Sequence, residues 1–160
     1  MIQKVKVEIE DATFEGKKCT VFKHFSKVPM LRRHYYYGLE GDQLVNYGSD
    51  VFKGLPNEMT LSYNPPPVIL QPFPSPGSAW VSQGEVSVAG RMTDYESESV
   101  VVGYNVITVP AGKFECVCIE TTFELVNSMK ITETIWYAED VGMVKSKTQF
   151  GVFELESYSD

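Results

Sequence analysis

The clearest strand pattern in the sequence is the stretch SVVVGYNVITVPAGKFECVCIETTFELV at residues 99–126. Residues 99–109 and 113–126 are rich in β-branched and aromatic side chains, which favour extended strands. Between them, Pro110 and Gly112 stand where a type I turn takes proline and glycine. The stretch therefore predicts two long antiparallel strands joined by a tight turn.

The same type of pattern extends over most of the chain. Apolar and polar residues alternate with a period of two, and no segment keeps an apolar period of 3.6 residues with caps at both ends. Further strands are predicted at residues 4–10, 18–26, 30–37, 44–47, 80–89, 129–138, 143–149 and 152–158. The polar stretch at 91–98 is predicted to be a loop or one helical turn.

These segments predict an all-β protein with strand content well above the usual ~20–25%. Turn signals recur about every ten residues, which is typical of one antiparallel, strongly curved sheet. We expect about ten strands that form a half-barrel or open barrel. The 160 residues are enough for one self-sufficient core, so a single domain over residues 1–160 is expected.

A proline-rich segment interrupts the strands. Six of the nine prolines lie between Pro65 and Pro76, and proline cannot donate the backbone hydrogen bond that a central strand needs. The segment also carries apolar side chains, so we expect it to pack on the concave face of the sheet as a plug or a lid. A polyproline ligand for a binding module is the alternative. The apolar side chains are Val68, Ile69, Leu70 and Phe73.

Composition excludes several function classes. The net charge of −7 argues against a nucleic-acid partner, whose phosphates attract basic surfaces. The apolar runs are only a few residues long, so no membrane-spanning helix is expected. The G-x-S-x-G, P-loop, H-E-x-x-H and dinucleotide-binding motifs are absent from the sequence. We therefore expect no enzyme and no catalytic residues, with a small enzyme whose site is scattered over loops as the alternative.

The cysteines and histidines indicate neither a disulfide framework nor a metal site. Cys116 and Cys118 are two residues apart on one predicted strand, so they share a face, and we expect both to be reduced and at least one to be buried. The third cysteine, Cys19, lies five residues from His24 and so on the opposite strand face. No metal and no cofactor are expected.

Three motifs carry a family resemblance. VPAGKFEC at 109–116, IWYAEDVGMVK at 135–145 and PFPSPGSAW at 72–80 resemble an uncharacterised family of bacterial cell-envelope proteins. The first fifty residues match that family poorly. The resemblance implies the open half-barrel of the periplasmic carriers of outer-membrane lipoproteins, with a concave surface for an apolar group and no catalytic residues.

The resemblance leads to a functional hypothesis. We expect a non-enzymatic bacterial envelope domain that binds a lipidic or other apolar ligand, or a partner chain, in the curve of its sheet. Leu70, Phe73, Trp80 and Trp136 are the predicted ligand contacts, since they lie in or near the proline-rich segment or on a covered strand. A structural domain with a self-plugged core is the alternative. The expected location is periplasmic or extracytoplasmic if a leader precedes this sequence, and cytoplasmic otherwise.

Overall fold

The protein consists almost entirely of strands. The structure is a computed structural model that describes residues 2–159, apart from the side chain of Met30. About 75% of the chain is strand, which confirms the all-β prediction. No helix in this part of the chain has the length and apolar character needed to cross a membrane. A 3₁₀ turn lies at Pro29–Leu31.

Twelve strands are present among residues 2–159. They are β1 (Ile2–Phe14), β2 (Lys17–Phe25), β3 (Arg33–Glu40), β4 (Gln43–Val51), β5 (Met59–Asn64), β6 (Val68–Leu70), β7 (Ala79–Val88), β8 (Arg91–Val109), β9 (Gly112–Leu125), β10 (Met129–Ala138), β11 (Gly142–Thr148) and β12 (Gly151–Ser159).

Eleven of these strands close into a barrel, and the short β6 pairs with β4 beside the ring. The order around the ring is β3, β2, β1, β12, β11, β10, β9, β8, β7, β5 and β4, with β4 paired again to β3. Among the pairings described, β1 with β12 is parallel and the others are antiparallel. The prediction of an open half-barrel is therefore wrong.

Closure depends on two pairings between segments that are distant in sequence. Val5 of β1 lies beside Leu155 of β12, so the two ends of the chain complete the wall. Leu61 of β5 lies opposite Val88 of β7, so these strands pair across the proline-rich segment that separates them. Neither pairing leaves a local sequence pattern, because each strand still alternates as it would in an open sheet.

The long hairpin predicted from residues 99–126 is present but begins earlier. β8 and β9 pair from Val109 opposite Gly112 to Tyr95 opposite Leu125. Residues 91–98 belong to β8, so the prediction of a loop or helical turn is wrong. Tyr95 and Ser97 are buried while the residues beside them are more exposed. The alternation of apolar and polar residues is hard to recognise in this stretch because one of its inward-facing residues, Ser97, is polar.

Successive strands run in opposite directions, so their connections gather at the two ends of the barrel. The Pro-rich end carries the connections at residues 15–16, 41–42, 65–78, 110–111 and 139–141. The cavity end carries those at residues 26–32, 52–58, 89–90, 126–128 and 149–150.

The proline-rich segment enters the Pro-rich end and packs against inward-facing side chains. Val68, Ile69 and Leu70 form β6 and contact an apolar cluster, which confirms their predicted packing. Phe73 does not join them: it is 96% exposed, so its predicted packing is wrong. It lies in the loop after β6 with a φ of 46°, where the chain turns away from the barrel. The cluster consists of Trp80, Val101, Val117, Ile119, Ile135 and Tyr137.

Hydrogen bonds fix this segment to the wall of the barrel. The indole Nε1 of Trp80 donates to the carbonyl of Val68 at 2.9 Å, and the amide of Val68 donates to Ser82 Oγ at 3.0 Å. The hydroxyl of Tyr95 donates to the carbonyl of Pro65. The segment is therefore an integral part of the closed end.

The tip of the β8–β9 hairpin reaches across to β12. The amide of Ala111 donates to the carbonyl of Leu155 at 3.1 Å, and the rings of Phe114 and Tyr158 lie 5.9 Å apart. Cys116 near this tip is buried, as is Cys118, which confirms the predicted burial. Burial raises the pKa of the Cys116 thiol to about 11, with a smaller contribution from Cys118. The thiol therefore stays protonated at neutral pH.

Candidate ligand-binding cavity

The barrel holds a cavity of about 320 Å³ at its cavity end. Most of the lining is aliphatic or aromatic and comes from β1, β10, β11 and β12. Apolar, concave walls of this type are typical of sites that bind small molecules. The side chains that form much of the wall are Val5, Val7, Ile131, Val144, Phe153 and Leu155.

The rim of this cavity is apolar and reaches the surface. Leu31, Phe52, Met129 and Phe150 line the cavity from the connections and strand ends at the cavity end. Phe150 is 67% exposed and Met129 is 48% exposed, so the lining continues to solvent. An apolar group entering here would replace contacts with water by contacts with these side chains.

A second chamber of about 180 Å³ adjoins the first and lies deeper in the barrel. Arg33, Glu133 and Ile131 border both chambers, as do Tyr35 and Met129. On the far side, the deeper chamber is bounded by Val68 and Ile69 of the proline-rich segment. The two chambers thus extend from the cavity end to the segment that fills the Pro-rich end.

Arg33 projects into this interior from β3. Strand alternation places it on the same face as Tyr35 and Tyr37, which also line the deeper chamber. The guanidinium lies over the Tyr35 ring, 5.0 Å from its centroid, and Nη2 donates to Ser49 Oγ at 3.3 Å. Its Nε atom is buried and has no hydrogen-bond partner in the part of the chain that the structure describes.

Glu133 projects into the same interior from β10, across the barrel from β3. Four strands separate β3 from β10 on one side of the ring and five on the other. The carboxyl group of Glu133 accepts a hydrogen bond from the hydroxyl of Ser146. Burial raises the pKa of Glu133, while the Ser146 hydrogen bond and the charge of Arg33 oppose the rise. The interior therefore favours the neutral form of this carboxyl group more than water does.

The histidine and the tyrosines that line the interior are neutral at physiological pH. Burial lowers the pKa of His24 to about 3, and the positive charge of Arg33 adds to this effect. Burial raises the pKa of Tyr63 to about 12 and moves those of Tyr35, Tyr37 and Tyr137 upward as well. Arg33 and Glu133 are therefore the groups that decide the charge of the inner chamber.

Two of the four residues predicted as ligand contacts pack together, but none lines either chamber. Leu70 and Trp80 belong to the apolar cluster at the Pro-rich end. Trp136 is half-buried, packs against a different cluster and lies under the Lys145 ammonium, 5.6 Å from the ring centroid. Phe73 is exposed. A role for these side chains in ligand contact stays a prediction.

Sequence reasoning did not single out Arg33 or Glu133. The signal for Glu133 is its place between Ile131 and Ile135, in what is otherwise the apolar row of one strand. The signal for Arg33 is the row that it forms with the alternate tyrosines after it. Burial of a charged side chain costs free energy unless the charge is paired. A charged residue in an otherwise inward-facing row was therefore the sign of a charged group in the interior.

Metal binding finds no support in the side-chain arrangement. Among residues 2–159, no three His, Cys, Asp or Glu side chains lie together as a group that could hold a metal ion. His24 packs edge-on against Tyr35 at a centroid distance of 4.9 Å. The deeper chamber offers one guanidinium, one carboxyl group, one amide and several hydroxyls in apolar walls, and the first chamber adds the Lys145–Glu154 ion pair.

Comparison with known families covers the second part of the chain. Residues 85–160 match the model of an uncharacterised family described as DUF3108-like. No curated protein and no solved structure matches the chain. The matched region contains Glu133 but not Arg33, so the two charged groups of the interior come from different parts of the sequence. The predicted similarity to lipoprotein carriers stays a prediction.

Proposed function

We propose that this protein is a non-enzymatic binding protein that holds one apolar or lipidic molecule inside its barrel. The observation that carries the proposal is the cavity of about 320 Å³, with aliphatic walls and an exposed apolar rim. This volume lies at the lower end of the range for small-molecule sites, which suits a ligand with one alkyl chain better than a large lipid. Burial of the ligand's alkyl chain against these walls supplies the binding free energy.

The contrast between the two ends of the barrel also supports this proposal. At the Pro-rich end, Val68 and Leu70 pack against the inward-facing cluster around Trp80. At the cavity end, no corresponding segment of residues 2–159 fills the space between Val5, Ile131 and Leu155. An internal space with apolar walls is a site where an apolar ligand gains contacts that the protein does not make with itself.

The pKa values of the buried titratable groups also support a binding function without catalysis. A general base works best with a pKa near the operating pH, whereas that of His24 is about 3. The thiol of Cys116, with a pKa of about 11, is a poor nucleophile at neutral pH. These properties favour the binding function over the small enzyme.

The experiment is a fluorescence titration with Nile red, a neutral apolar probe. Ile131 borders both chambers, so Ile131→Trp is expected to fill space in each and to weaken probe binding at least roughly tenfold. Thr132→Trp is the matched control, because Thr132 is the exposed neighbour on the same strand. This control is expected to bind the probe as the unchanged protein does.

Two results would contradict the proposal. If the unchanged protein does not bind Nile red, the cavity is not an apolar binding site, and the structural domain with a filled core becomes the better interpretation. If Ile131→Trp is folded by circular dichroism and binds as tightly as Thr132→Trp, the probe binds outside the barrel.

A further inference from the structure

A positive charge without a carboxylate partner lies at the junction of the two chambers. No carboxylate oxygen among residues 2–159 lies within 4.0 Å of the Arg33 guanidinium. Within the described part of the chain, its single hydrogen bond to a side chain is the 3.3 Å contact of Nη2 with Ser49, and the buried Nε has no partner. Buried polar groups in proteins are nearly always paired, so this donor is available to an acceptor group that enters the chamber.

The surroundings of Arg33 define the chemistry of that acceptor. On the side of the cavity end, the walls are apolar and lead to the rim at Met129 and Phe150. A matching ligand therefore carries an anionic acceptor at one end and an apolar chain that extends toward the rim. Guanidinium and carboxylate groups match each other in geometry and form hydrogen bonds about twice as strong as neutral ones.

Glu133 limits the charge that the ligand can bring. It borders both chambers together with Arg33. Lys145 pairs with Glu154 at 3.4 Å, so among the described residues that line the chambers Arg33 is the one cationic group without a carboxylate partner. A head group with two negative charges, such as a phosphate monoester, would leave an excess of negative charge in a medium of low polarity. A head group with one negative charge balances Arg33 when Glu133 is protonated.

We propose that the ligand is a single-chain monocarboxylic acid, with its carboxylate bound by Arg33 at the junction of the two chambers and its alkyl chain directed to the rim at the cavity end. This inference rests on the proposed function and adds the chemical class of the ligand and the direction in which it lies. Arg33 is a binding residue in this account, and Glu133 adjusts the charge of the site.

The experiment compares decanoate with decanol as competitors for bound Nile red. The two molecules share an alkyl chain of the same length and differ in the head group. The unchanged protein is expected to prefer decanoate by roughly 10- to 100-fold, the range that a charge-assisted hydrogen bond supplies. Arg33→Gln is expected to remove this preference, which is the ratio of two competitors and can be measured whatever the affinity of the variant for Nile red. Arg91→Gln removes the same charge from an exposed position and is expected to keep the preference.

Glu133→Gln provides a second, independent readout. Loss of the carboxyl group removes a negative charge that opposes the ligand, so decanoate is expected to bind more tightly at pH 8, by roughly threefold or more, with no change for decanol. If Arg33→Gln does not fold, the preference of the unchanged protein and the Glu133→Gln result still decide the matter.

The outcomes separate the two proposals. Nile red binding with equal competition by decanoate and decanol would overturn the ligand class and leave the binding function intact. Preference for decanoate that persists in folded Arg33→Gln would overturn the role of Arg33. Absence of Nile red binding would contradict the proposed function itself.

Discussion

The two ends of the barrel differ in what fills them. At the Pro-rich end, the inserted segment brings Val68 and Leu70 against Trp80, and hydrogen bonds to backbone carbonyls fix it there. At the cavity end, the same type of β wall encloses a chamber, and two charged side chains, Arg33 and Glu133, project into it. The strands of the wall therefore do not determine whether the interior of a barrel is filled by side chains. That depends on which connection between strands folds inward.

This difference assigns separate roles to the two ends. Close-packed interiors contribute stability, because every side chain keeps its dispersion contacts and loses its contact with water. The cavity end gives up some of that stability and keeps a donor at Arg33 without a partner among residues 2–159. We infer that the Pro-rich end stabilises the barrel and that the cavity end binds the ligand.

The largest expected effect is that of Trp80→Ala at the Pro-rich end. Trp80 is 8% exposed and joins the cluster to the carbonyl of Val68. Loss of a buried Trp side chain leaves a cavity, so the free energy of unfolding is expected to fall by about 3–5 kcal/mol, measured by urea denaturation. Phe150→Ala at the rim of the cavity end is the control, with an expected change within about 0.5 kcal/mol. Similar losses in the two variants would contradict the division of roles.

A smaller effect is expected from pH at the cavity end. His24 has a pKa of about 3 in the folded protein, whereas an unfolded histidine titrates near ~6.5. Between these values the unfolded chain binds the proton more tightly, so stability falls as the pH is lowered below the unfolded pKa. At pH 5 the cost relative to pH 8 is expected to be about 2 kcal/mol from this residue alone.

The measurement is urea denaturation at pH 8 and pH 5 of the unchanged protein and of His24→Phe. The variant keeps a ring against Tyr35 and is expected to lose about 2 kcal/mol less than the unchanged protein on acidification. The chain's other histidine, His34, is half-buried, and His34→Phe is expected to change the pH dependence less. Equal pH dependence in the unchanged protein and His24→Phe would mean that His24 is solvated, and the interior correspondingly more polar.

Local pattern was enough to predict most of the strands but not their closure. The hairpin at β8 and β9 follows from β-branched residues on both sides of a turn. The parallel pairing of Val5 with Leu155 joins the two ends of the chain, and no alternation of residues specifies it. Strand β6 was missed because proline excludes a central strand, whereas Val68 pairs only at the edge of β4.

The residues predicted as ligand contacts lie apart from the two chambers that the structure shows. Sequence reasoning selected large apolar side chains. Of these, Leu70 and Trp80 pack in the same apolar cluster and do not line the chambers. Arg33 and Glu133 are 100 residues apart and face the same interior only because the closed ring places β3 across from β10. An open sheet has no enclosed interior, so the half-barrel prediction could not bring these two side chains into one site.

A crystal structure of the protein with decanoate would show whether Arg33 binds the ligand's carboxylate inside the barrel. We predict one decanoate molecule inside the barrel, with a carboxylate oxygen about 2.7–2.9 Å from a guanidinium nitrogen of Arg33 and the alkyl chain directed toward Phe150. Decanoate bound with its carboxylate at the rim, or bound only on the outer surface of the barrel, would contradict this prediction.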